Sequence, residues 1–295
     1  MERPPVVRHV ERTLAGARLT LNLRPGTHVG DVEHVALSLA SSLRVRGIRV
    51  VRDLNDASVV RVHVINRDPF ADYALTWPGT TALGSDAWSA IPVGVDEDGA
   101  VVSLTLLEHH VLLGGESGSG KSGALSLIAA SAALDSRVDL WLLDAKLVEL
   151  APWRRCARRF CGPDISEAIS VLDELRGDMT ARYQRLLTMG KRKVERGDGF
   201  ALHIVVIDEL VSYLGHPDKK LAARFTDSLR DLLARGRAAG IVVVAATQKP
   251  STDMVPSALR GPLRVPVGDA LHDERRERHG PRGGLGEQRV LGRRD

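Results

Sequence analysis

The sequence predicts an α/β protein with a mainly parallel sheet, preceded by a small α+β domain. Three observations predict it. Residues 115–122 read Gly-Glu-Ser-Gly-Ser-Gly-Lys-Ser between an apolar run and a small-residue helical stretch, which fits the phosphate-binding pattern G-x-x-x-x-G-K-[ST]. From His110 onward, short continuous apolar runs alternate with helical stretches, as expected of strands covered on both faces. Before residue 85 the order reads strand, helix, strand, strand, which suits one sheet covered by a helix.

Composition sets the outer bounds. At 295 residues, 43% hydrophobic and 26% charged, the chain has room for one large or two smaller globular domains. No apolar run reaches 18 residues and no signal-peptide pattern occurs, so a cytoplasmic chain without a transmembrane segment of its own is expected. Cys156 and Cys161 are too few for a disulfide framework, and no nearby His or Cys pair completes a zinc site; reduced thiols are expected. A net charge of +4 and a pI near 9.3 allow a polyanionic partner without demanding one.

Taken in order, Ala17 to Leu23 alternates as a strand and ends at the turn Arg24-Pro25-Gly26. Val32, Val35, Ala36, Leu39 and Leu43 have helical spacing within residues 29–43, and Ile48–Asp53 and Val59–Ile65 read as strands. Arg44, Arg46, Arg49, Arg52 and Arg61 suit either a phosphate backbone or a solvated sheet edge. Residues 70–95 are linker-like, with Trp77 and Trp88 expected to dock on a neighbour, and Asp96-Glu97-Asp98-Gly99 reads as a hairpin turn between Ile91–Val95 and Val101–Leu106. Strands are then expected at Val111–Leu113, Val138–Leu143, His203–Ile207 and Ile241–Ala246, with helices at Ser122–Leu134, Ile165–Met189 and Leu221–Arg235. Right-handed crossovers in such a sheet place a ligand at the carboxyl ends of the strands.

The chemistry follows from that placement. Glycines let the N–H groups of residues 115–122 (Gly115, Glu116, Ser117, Gly118, Ser119, Gly120, Lys121 and Ser122) curl round phosphates, aided by the helix N-terminus. Lys121 can reach the β- and γ-phosphates of ATP, and the Ser122 hydroxyl can bind Mg²⁺. Four apolar residues then lead into Asp208 and Glu209 at the same end of the sheet. Asp208 there can hold Mg²⁺ through water and Ser122, and Glu209 can deprotonate the attacking water. Gln248, ending the next strand, reads as a nucleotide sensor or a strand-end cap. Arg235 and Arg237 lie at a helix C-terminus, where the dipole favours cations. Either could instead reach a neighbouring subunit's nucleotide. Asp144-Ala-Lys146 follows its strand at the nucleotide end of the sheet or reads as a surface ion pair; Lys191–Arg196 reads as a mobile loop, a solvated charge run or a phosphate contact; His109, His110 and His203 read as ordinary strand-edge residues.

Five segments occur in a set order: Gly-Gly-Glu-Ser-Gly-Ser-Gly-Lys-Ser, Leu-Leu-Asp-Ala-Lys, Val-Val-Ile-Asp-Glu-Leu, Ala-Arg-Gly-Arg-Ala-Ala-Gly-Ile and Ala-Thr-Gln-Lys-Pro-Ser-Thr-Asp. Together they resemble the motor of FtsK/SpoIIIE-type DNA translocases, in the actinomycete plasmid-transfer and integrative-element branch. The resemblance implies a RecA-like ATPase, a homo-hexameric ring on double-stranded DNA, and association with the inner face of the membrane through an anchoring partner. It implies that Lys121 and Ser122 bind phosphate and Mg²⁺, Asp208 is the Mg²⁺-linked acid, Glu209 the base and Gln248 the sensor, with Arg235 or Arg237 acting in trans. The corresponding divisions are a small α+β domain at 1–85, the motor at 86–260 and an aberrant tail at 261–295.

That tail is rich in Arg, Gly, Asp and Glu. Codons permitted for Leu263 to Ala270, advanced by one nucleotide, admit Arg-Trp-Ala-Met, and those for Gly284 to Leu291 admit Gly-Trp-Ala-Ser-Ser-Gly-Tyr-Ser. A shifted or truncated frame from about Gly261 is therefore expected, with a sheet lacking its next strand, impaired ATPase activity and disorder beyond Arg260. A natural charged tail is the alternative. A P-loop ATPase that secretes protein and a catalytically impaired ATP- or DNA-binding regulator are the competing functions.

Overall fold

The computed structural model describes residues 4–68, 86–96, 101–107, 109–116, 118–248 and 254–267. The chain divides into two compact units, Met1–Gly84 with Ala90–Leu104, and Ser85–Ser89 with Thr105–Asp295.

In the first unit, β1 (Val6–Arg12), β2 (Gly16–Asn22), β3 (Gly47–Arg52) and β4 (Val59–Ile65) form an antiparallel sheet in the order β1-β2-β4-β3. Helix α1 (Val29–Ser42) packs on β3, and Leu21, Leu23, Val60 and Val62 form the core. The sequence pattern does not reveal β1, because all seven of its residues are exposed; backbone pairing with β2 holds it, with an ion pair between Glu11 and Arg18 at 3.2 Å. Arg46, just before β3, pairs with Asp68 at 2.9 Å, and Arg61, on the inner strand β4, with Asp53 at 3.3 Å. Strands β5 (Ala90–Val95) and β6 (Val101–Thr105) pair as a two-stranded sheet; the expected turn residues 97–99 and Trp77 lie outside the described residues.

The second unit is built on a six-stranded, wholly parallel sheet. Its strands are β7 (His110–Gly114), β8 (Val138–Asp144), β9 (Arg159–Cys161), β10 (Leu202–Asp208), β11 (Ile241–Thr247) and β12 (Leu263–Val267), in the order β12-β7-β11-β10-β8-β9. The central strands are apolar on both faces because helices cover both. Helix α2 (Lys121–Ala133) packs on β8 and β10. On the other face, Trp141, Leu143, Val205, Ile207, Val243 and Ala245 meet the buried sides of α3 (Ile165–Thr188) and α5 (Lys219–Arg235). Helix α3 starts where the Asp164 carboxylate accepts from the amides of Ser166 and Glu167, and α5 where Asp218 accepts from Lys220 and Leu221. Two short helices, α4 (Leu210–Leu214) and α6 (Ser257–Arg260), follow β10 and precede β12.

Two expectations are corrected here. The sheet does not lack its outer strand: Leu263–Val267 pairs in parallel with β7, so the segment from Gly261 to Val267 is structured. Unpaired donors and acceptors along β7 attract any extended neighbour, and Leu-Arg-Val-Pro-Val keeps apolar residues at alternate positions. Pro266 is tolerable because β12 is the sheet edge, and the register shifts between Arg264 and Pro266. The remainder of the expected tail, 268–295, lies outside the described residues. The basic loop is tied down: Val194 is buried and its amide donates to the Ala238 carbonyl at 2.8 Å, Lys191 pairs with Glu195 and Asp198, and Arg196 with Asp86. His110 and His203 lie at the starts of β7 and β10, and both are buried.

Candidate nucleotide site

Every parallel strand ends at one edge of the sheet, and the loop between β7 and α2 lies there. Gly118 and Gly120 have φ of 86° and 89°, a region that side chains rarely adopt, and this lets the chain turn tightly into the helix. Gly120 is the N-cap of α2, with no side-chain cap and no acidic residue in the first turn. The first amides of α2 and its dipole are thus available to an anion. Gly115 N donates to Thr247 O at 3.3 Å, tying the loop to the end of β11. Ser122 lies in the first turn of α2; Ser117 is outside the described residues.

Lys121 reaches across to β10, where its Nζ lies 3.3 Å from Asp208 Oδ1; the two side chains are 8% and 0% exposed. Burial pushes the Asp208 carboxyl above its usual range, Lys121 opposes that shift, and the nearby charge of Asp144 adds to it. Asp208 Oδ2 is buried without a hydrogen-bond partner among the described residues. Such an atom needs a donor or a cation. A hard, oxygen-seeking ion fits this carboxylate and the Ser122 hydroxyl. Among the described residues no group of three or more His, Cys, Asp or Glu could hold a metal. Mg²⁺ suits the site because it binds through one or two protein oxygens, substrate phosphates and water.

Glu209 follows directly and carries φ 53°, ψ 62°, a left-handed conformation unusual for a residue with a side chain. Its Oε1 accepts from Thr247 Oγ1 and from the Gln248 amide, each at 3.3 Å, and its Oε2 lies 3.2 Å from Lys146 Nζ. The Gln248 side chain is exposed, so in this arrangement its backbone is what meets the acid. Asp144, fully buried, accepts from the amides of Lys146 at 3.2 Å and Leu150 at 2.9 Å, which shapes the elbow after β8. Lys146 and Thr247 thus join the site, and the surface ion pair expected of Asp144-Ala-Lys146 is replaced by a pair between Lys146 and Glu209. The signal for them was the position of both residues at the carboxyl ends of β8 and β11.

Arg235 and Arg237 lie before β11, at the amino edge of the sheet. A seven-residue strand rises about 3.3 Å per residue, so they are roughly 20 Å from their own phosphate loop. Arg235 is held by Asp231 through two contacts of 2.6 Å. Arg237 is exposed and has no ion pair among the described residues.

Known proteins resemble this chain in sequence and in fold. The sequence model of the FtsK/SpoIIIE family matches residues 76–217. The chain is 27% identical over 285 residues to the DNA translocase FtsK of Lactococcus lactis subsp. cremoris (strain MG1363), covering 87% of this chain and 37% of that protein. It is 25% identical over 277 residues to the DNA translocase SftA of Bacillus subtilis (strain 168), covering 87% and 29%. The chain therefore spans about a third of the length of these relatives. Among solved structures, the pCW3 conjugation coupling protein TcpA, in monomer form with ATPγS, superposes with a TM-score of 0.58 at 17% identity, covering 88% of this chain and 76% of that one. EssC (ATPases 2 and 3) from Geobacillus thermodenitrificans gives 0.51 at 18% identity, covering 62% and 37%. These solved structures share the RecA-like fold, and the likeness to the FtsK/SpoIIIE family spans residues 76–217.

Proposed function

We propose that this chain is an ATP-driven motor for double-stranded DNA, of the kind used in plasmid transfer by actinomycetes, acting as a hexameric ring and reaching the membrane through a partner. The carrying observation is the convergence of Lys121, Asp208, Glu209 and Lys146 at one edge of the sheet beside an uncapped helix N-terminus. The sequence likeness to proteins named DNA translocases supplies the substrate. No described helix is long and apolar enough to cross a membrane.

The roles follow from position. Amides of residues 115–122 and Lys121 hold the phosphates, and Asp208 with Ser122 holds Mg²⁺. Bound ATP and Mg²⁺ supply the scissile bond and neutralise phosphate charge. Glu209 takes the proton of the attacking water, and Gln248, bonded to it through the backbone, senses the terminal phosphate. Arg237, exposed at the opposite edge, serves the site of the adjacent subunit. The test is ATP hydrolysis with and without duplex DNA. Lys121→Ala should lose ATP binding. Glu209→Gln should keep binding and lose about 10²–10⁴-fold in turnover. A rate indifferent to DNA would point to a protein-secreting motor, and ATP binding without turnover to a regulator.

A further inference from the structure

Among the described residues of the second unit, two other than glycine have positive φ, Leu147 at 58° and Glu209 at 53°. Such conformations persist only where their surroundings hold them. The ion pair of Glu209 is with Lys146, the residue just before Leu147, so it links the two turns. Both flanks also meet at Gly162. The Tyr213 hydroxyl of α4 donates to the Gly162 carbonyl at 2.8 Å, and a Cβ added at Gly162 would come 2.9 Å from Leu147 Cδ2. The elbow after β8 and the helix after Glu209 therefore rest on one point.

A general base must turn a lone pair toward the water whose proton it takes. Here Oε1 accepts two hydrogen bonds and Oε2 faces an ammonium group, so the described carboxylate is occupied on both oxygens. The two partners of the ion pair differ in freedom. The Glu209 side chain is 11% exposed, whereas that of Lys146 is 44% exposed and can swing into water without disturbing the core. Next to it, Leu147 and Val148 are exposed apolar residues on the same elbow.

We propose that Lys146 is a positioning residue that restrains Glu209, keeping its carboxylate off the attacking water until the elbow after β8 moves and the ammonium withdraws. The inference rests on the reading of Glu209 as the base. In the full chain, Lys146→Met should raise the DNA-free kcat for ATP by about two- to fivefold, the range expected for loss of a partly exposed ion pair. KM for ATP should stay unchanged, Lys146→Arg should behave as the parent, and adding Glu209→Gln should abolish the gain. A kcat that falls or stays level in Lys146→Met, or an effect confined to KM, would overturn the restraint. The underlying reading fails by a different result, turnover persisting in Glu209→Gln alone. Duplex DNA added to the parent chain reads the translocase proposal separately, since the DNA-free comparison does not depend on it.

Discussion

Asp208 and Glu209 are adjacent in sequence and have opposite electrostatic surroundings. Asp208 ends a core strand with one oxygen on Lys121 and the other without a described partner, so its ionised form depends on a cation. Glu209 turns through a left-handed conformation and accepts from two neutral donors and an ammonium group. Residue type and strand position made this division legible in the sequence. The link to Lys146 was not, because it spans 63 residues and depends on the turn that Asp144 imposes after β8. At the same scale the two arginines separate. Arg235→Ala removes an internal ion pair and should alter ATP turnover by less than about tenfold. Arg237→Ala should reduce turnover of the assembled protein by about 10³-fold or more, the usual effect of losing a trans-acting arginine. Steady-state hydrolysis at a concentration that supports assembly checks the pair, and equal effects would remove the assignment.

At the scale of elements, the strands with continuous apolar runs and the helices with strong periodicity were readable. Strands β1, β9 and β12 were less so, because short or edge strands are defined by pairing and not by a buried face. Helix α3 begins on a carboxylate cap, and Asp164→Ala should cost about 0.5–2 kcal/mol in a denaturant titration, with the nucleotide site intact. His110 opens β7, buried, and its Nδ1 accepts from Val243 N at 3.0 Å. Burial first, and the nearby Arg237 charge second, lower its pKa from 6.5 to about 4. The unfolded chain then binds a proton that the folded chain refuses between those values, so the contribution is complete above about pH 6.5 and lost as pH falls toward 4. Unfolding free energy should drop by about 2 kcal/mol between pH 7 and pH 5 from this group. His203, lowered chiefly by burial, acts in the same direction. Denaturation of His110→Gln across that range should show a shallower fall; an unchanged slope would exclude His110 as the source.

At the scale of the whole molecule, the proposed grip on DNA is through phosphates, so log affinity should fall steeply and linearly with log salt and vary little with sequence. Filter binding at several salt concentrations measures it, and a flat line would count against a DNA motor. The architecture was legible because phosphate loop, acidic strand end and apolar alternation all specify the same sheet. The outer strand was misjudged because the composition beyond it is anomalous; reading the nucleotide sequence across codons 255 to 295 tests whether the frame is shifted. The strand order has one more consequence, for synthesis on the ribosome. Strand β7, which carries the phosphate loop, finds its described sheet neighbours in β11 and β12, and His110 waits for Val243, 133 residues later. At about 5–20 residues per second, the loop emerges roughly ten seconds before the strand that must hold it. The nascent chain thus exposes an apolar strand for that interval, and the seat of its phosphate loop is among the last features to form.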